Sequence, residues 1–134
     1  MDYDDHCTNL GRLWGNIQSL EVTLRLFLTQ ATSETQIRNR YTIGILVGKH
    51  YDQLANDEQS LYSVDKSVVD VRNALAHGLV SGGSEERFPL TLLHEDLEAV
   101  MTVEWFGGQR SLAQKQVDRI LACGRKRWQS PWWA

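Results

Sequence analysis

Three side chains near the middle of this 134-residue chain carry its most distinctive chemistry: Arg72, Asn73 and His77. They lie in the stretch Asp65-Lys66-Ser67-Val68-Val69-Asp70-Val71-Arg72-Asn73-Ala74-Leu75-Ala76-His77-Gly78. Arginine is always charged, and its planar fork of donors matches a phosphate. Histidine gives or takes a proton near neutral pH. Asparagine orients an imidazole or donates to a phosphate oxygen. The set suits phosphodiester chemistry and requires no metal. Each member also has a plainer use. His77, just before Gly78, complements a helix dipole; Arg72 suits a surface ion pair; Asn73 alone is an ordinary exposed polar residue. A helix end needs neither Arg72 nor Asn73, so the combination favours the chemical reading.

The element that must position these residues is a helix running from Leu61 or Ser63 to His77. At about 100° per residue, Val64, Val68, Val71 and Leu75 form its core side. Asn73 and His77, four apart, lie nearly opposite, together with Asp70 and Lys66. Arg72 falls between, beside the small residues Val69 and Ala76. This second face invites another protein surface, and a two-fold partner would bring a second Arg72, Asn73 and His77 into one cleft. Gly78 is expected as a left-handed helix stop.

This segment resembles the HEPN superfamily, whose signature is an arginine, commonly followed by a polar residue, and then a histidine after four to six intervening residues. Here Arg72, Asn73 and His77 match, with four residues between Arg72 and His77. The wording Arg-Asn-Ala-Leu-Ala-His-Gly is typical of small bacterial members, and the match covers about fifteen residues, a short motif in the sense of a hypothesis with stated context. The resemblance implies a small helical domain, usually dimeric, and a metal-independent endoribonuclease. In such enzymes the ribose 2′-hydroxyl attacks the adjacent phosphate. His77 would be the acid or base, Arg72 would hold the scissile phosphate, and Asn73 would support both. It also implies a homodimer, an RNA substrate, no cofactor and, for toxin or phage-defence members, an antitoxin partner. The alternative is a non-catalytic dimer of the same fold that binds a nucleotide, RNA or a partner protein.

The remaining elements read as helices around one core. Leu10, Leu13, Trp14, Ile17, Leu20, Leu24, Phe27 and Leu28 recur at three-four spacing, with Thr8 or Asn9 as cap and Trp14 in the core. A second helix is expected from Thr42 to Leu54. Residues 80–95 read as an irregular connection, within which Leu90 to Leu93 fits either a short strand or the approach to a helix. Leu93, Leu97, Val100 and Met101 permit a short helix that Gly107-Gly108 interrupts. A last helix is expected from Ser111 to Arg127, followed by a non-helical tail at 129–134. The expected fold class is all-α: one domain, a small bundle of four to five helices, two-fold paired.

Composition sets the outer bounds. Net charge is −3, so there is no global basic surface for nucleic acid. Arg125, Lys126 and Arg127, with Trp128 after them, and Lys66 are weaker RNA-contact candidates through phosphate contact and stacking. Helix-end cations and packed tryptophans explain the run at 125–128 more simply. His6, His50 and His94 show no metal-ligand spacing and read as surface residues. Cys7 and Cys123, near opposite ends, fit a reducing compartment, although a bridge between them stays open. The acidic start lacks signal-peptide features and no apolar run reaches membrane-spanning length, so a cytoplasmic location is expected.

Overall fold

A computed structural model describes residues 1–32, 43–44, 65–81 and 88–128. Among them are three helices and a small antiparallel sheet, and the two long helices pack on each other. The order is α1 (Tyr3–Thr32), α2 (Lys66–His77), β1 (Leu79–Ser81), β2 (Thr91–His94), β3 (Leu97–Val100) and α3 (Val103–Arg127). The expected helix at 42–54 lies outside the described residues except at Ile43, which is buried and helical, and Gly44. The tail at 129–134 lies outside them too.

The helices keep their expected faces and shift their ends. α1 begins at Tyr3, well before Thr8, because Asp2 and Asp5 cap it reciprocally. Asp5 N–H donates to Asp2 Oδ1 at 2.8 Å, and Asp2 N–H donates to Asp5 Oδ2 at 3.1 Å. That arrangement satisfies orphan donors of the first turn. α2 begins at Lys66, later than the expected 61 or 63, because Asp65 is extended (φ −60°, ψ 129°) and its carboxylate accepts from Ser67 N–H at 2.9 Å. α3 begins at Val103 rather than Ser111 and runs straight through Gly107-Gly108. Both glycines are exposed, so their weak helix propensity is outweighed by the anchoring of Phe106, which is fully buried.

The all-α expectation is corrected by the sheet, of order β1-β2-β3. Residues 80–95 are not wholly irregular, and 93–101 do not form a helix. Leu79 pairs with Leu93 and Ser81 with Thr91; Thr91 pairs with Val100 and His94 with Leu97. Leu97 and Ala99 turn inward and Glu98 and Val100 outward, a period of two. Gly78 is not left-handed. At φ −77° and ψ 175° it is extended and feeds α2 directly into β1. Its lack of a side chain matters for another reason: a Cβ there would collide with the carbonyl oxygen of Ala74 and lie 2.8 Å from that of Leu93.

The chain packs as two compact units. The first comprises 1–17 and 65–112. Its core joins Leu13 and Ile17 of α1, Val71 and Ala74 of α2, Leu92 of β2, Met101 and Phe106. Arg110 Nε donates to Asn16 Oδ1 at 3.3 Å across the two long helices. The second unit comprises 18–64 and 113–134. Leu20, Leu24, Phe27 and Leu28 from α1 are buried there, as are Ala113, Val117, Ile120 and Cys123 from α3. Glu21 links to Arg25 at 2.6 Å and accepts from Ile43 N–H at 3.3 Å. Cys7 is exposed, Cys123 is buried, and no disulfide joins them. No described helix is long and apolar enough to cross a membrane.

Candidate functional site

The first unit holds all three candidate residues on α2. Val68, Val71 and Ala74 are buried and fix the rotation of this helix against the core. Leu75, half-buried, packs on the same cluster. The polar residues are thereby turned away from the core, as their spacing requires.

Arg72 is half-buried. Its guanidinium carbon lies 6.0 Å from the centre of the Trp14 ring, and its Nη1 donates to Asn73 Oδ1 at 3.3 Å. An aromatic face and an amide therefore hold the guanidinium beside the helix. Trp14, expected in the core, is only half-buried; its ring serves as the platform under Arg72. His77 is the last residue of α2 and is exposed, next to the turn into β1. Asn73 and His77 share a side of the helix, whereas Arg72 and His77 lie about 140° apart around its axis. One copy of α2 thus brings Arg72 to Asn73 but does not turn Arg72 and His77 the same way.

Asn73 also lines a cleft of about 410 Å³ that the sequence did not reveal. Lys66 and Asp70 join it from α2. His94, Glu95, Asp96, Leu97 and Glu98 close it from the β2–β3 hairpin. The shared face of Lys66, Asp70 and Asn73 was legible from helical spacing; the hairpin opposite it was not. Four carboxylates face one ammonium here, so the cleft repels phosphate on this flank. His94, expected on the open surface, is a half-buried wall of the cleft. Among the described residues, no three His, Cys, Asp or Glu side chains converge to hold a metal ion.

The hairpin tip has its own peculiarity. Glu95 adopts φ 50°, in the left-handed region that a two-residue hairpin loop needs and that glycine or asparagine usually supplies. A charged side chain is thus held at the rim by a backbone that tolerates it at some cost.

The basic run lies in the second unit and is exposed at Arg125, Lys126 and Arg127. Arg127 lies over Trp128 at 4.7 Å and over Phe27 at 5.7 Å, and Trp128 meets Phe27 edge-on at 5.0 Å. The indole is therefore engaged in packing, which favours the simpler of the two explanations for these residues.

His6, also expected on the surface, is 6 % exposed. The signal was present: His6 stands at helical spacing from Leu10, Leu13 and Ile17, on the buried stripe of α1. No protein-family model, curated protein or solved structure matches the chain.

Proposed function

We propose that the C-terminal end of α2 is half of a metal-independent endoribonuclease site of HEPN type, completed by a second copy of the chain. One observation carries this reading. An exposed imidazole, His77, ends the same helix on which an aromatic ring and an amide hold a half-buried guanidinium, Arg72. Preorganised cation and mobile proton carrier are the two parts that phosphodiester transfer needs. Because Arg72 and His77 face different ways on one helix, a two-fold partner supplies the arginine opposite each histidine.

In the reaction, one His77 takes the proton from a ribose 2′-hydroxyl. The 2′-oxygen bonds to the adjacent phosphorus while the bond from phosphorus to the 5′-oxygen breaks. The products are a 2′,3′-cyclic phosphate and a 5′-hydroxyl, the latter protonated by an imidazolium or water. Arg72 stabilises the charge gathering on the phosphate oxygens, and Asn73 fixes the guanidinium. The carboxylates of the neighbouring cleft keep the phosphate chain to the Arg72 side. A role as a toxin or phage-defence effector restrained by an antitoxin fits a small ribonuclease of this kind.

The test is cleavage of varied single-stranded RNAs in EDTA. His77→Ala or Arg72→Ala lowers the rate at least a hundredfold, in line with the loss of a general acid–base group or a charge-stabilising donor. Intact RNA at high protein concentration, whatever its sequence, counts against the reading.

A second reading draws on the acidic flank of Asn73. Four carboxylates beside the motif suit a basic protein segment better than a phosphate, and favour a non-catalytic dimer that binds a partner protein. It predicts salt-sensitive binding of a lysine- or arginine-rich partner and no RNA cleavage.

A further inference from the structure

The start of α1 buries a titratable group that the proposed reaction does not use. The His6 ring lies 5.3 Å from the Phe88 ring at a tilt of 46°, and 5.7 Å from the Phe106 ring at 69°. Tyr3, one turn earlier, meets Phe88 edge-on at 6.1 Å. Three stretches distant in sequence therefore meet at one imidazole: the first turns of α1, the segment leading into β2, and the start of α3. All belong to the first unit. The ring's Nδ1 is buried and has no hydrogen-bond partner among the described residues.

We propose that His6 is an acid-sensitive clasp. While its ring is neutral it fastens the first turns of α1 to Phe88 and Phe106, and it releases them when the ring gains a second proton. A neutral imidazole behaves here as an aromatic wedge. An imidazolium would carry an N–H on the buried Nδ1 with no acceptor among the described residues to receive it. Attraction to the phenyl rings offsets part of that cost but leaves the donor unsatisfied.

Among the described residues, the charges around the ring do not rescue it. On α1, Asp2 and Asp5 are exposed and tied to each other's backbone N–H groups, and Asp4 is exposed. Tyr3 contributes a phenol. The segment Phe88–Leu90 has no titratable side chain, and α3 offers the exposed Glu104, two residues before Phe106. Burial holds the imidazole below the ordinary histidine value of 6.5. Its place in the opening turns of a helix, whose N-terminus repels cations, acts in the same direction.

The sign follows from linkage. Above pH 6.5 docked and released states are both neutral and the clasp is closed. As pH falls from 6.5 toward the lower value of the docked ring, the released segment takes up a proton that the docked one refuses. Release is then favoured by up to tenfold per pH unit. The effect requires no second chain and no RNA, so it stands apart from the ribonuclease reading.

The experiment uses the full chain between pH 8 and pH 5. Hydrogen exchange, corrected for its intrinsic pH dependence, follows the amides at the start of α1, and nitrogen NMR follows the His6 ring. The wild type should lose protection there by up to tenfold per unit below pH 6.5, with the His6 ring titrating below 6.5. His6→Phe, which keeps an aromatic wedge without a titratable nitrogen, should hold its protection level over the same range. Equal loss in His6→Phe overturns the proposal. If that variant does not fold, the wild-type titration decides alone: a His6 midpoint at or above 6.5 overturns the clasp.

Discussion

Arg72 shows how a spacing rule reaches a site and where it stops. Helical periodicity correctly turned Asn73, Asp70 and Lys66 to one side and Val68 and Val71 to the other. It could not say what stands over Arg72, because Trp14 is some sixty residues away and sits on a stripe that reads as core. The structure makes that tryptophan a platform. Trp14→Leu keeps much of the bulk and removes the ring face. A contact of this kind is worth about 0.5–1 kcal/mol at a partly exposed site, so cleavage of RNA in a steady-state assay should fall about two- to fivefold. His6 departs from its expected surface position for the opposite reason. Its acidic neighbours suggest a solvated terminus, while its spacing from Leu10 and Leu13 places it on the buried stripe.

At the scale of elements, long helices were legible, while of the short strands only β2 was an open alternative, at Leu90 to Leu93. α1 and α3 each hold an apolar stripe for many turns, and that pattern survives local breakers such as Gly107-Gly108. The strands have three or four residues each, too few for alternation to stand out. Leu93, Leu97 and Val100 also fall at helical spacing by coincidence, and the hairpin turn Glu95-Asp96 lacks the glycine or asparagine that marks such loops. Helix ends were set by side chains rather than by the stripe. Asp65 is the clearest case: its carboxyl is held below the usual carboxylate value of 3.8 by hydrogen bonds from Ser67, backbone first. The cap is thus fully present above pH 3.8 and is lost as pH falls through the lower folded value. Asp65→Ala should lower stability at neutral pH by about 1 kcal/mol, read as a shift in the urea midpoint with unchanged slope. The difference from wild type should vanish in strong acid.

For the whole molecule, the proposed ribonuclease site is one that a single chain does not complete. Arg72 and His77 diverge by about 140° on α2, and an acidic cleft occupies the flank beyond Asn73. A ribonuclease built from these parts needs the arginine of one copy and the histidine of another in a shared groove. Mixing two inactive variants tests this directly. Arg72→Ala and His77→Ala are co-refolded at equal concentration and assayed on single-stranded RNA in EDTA. Half of the dimers are then mixed, and each has one intact pairing, so the mixture should recover about a quarter of wild-type cleavage by the symmetry of a two-fold dimer. A mixture as inactive as its parents, alongside an active wild type, would contradict the shared site.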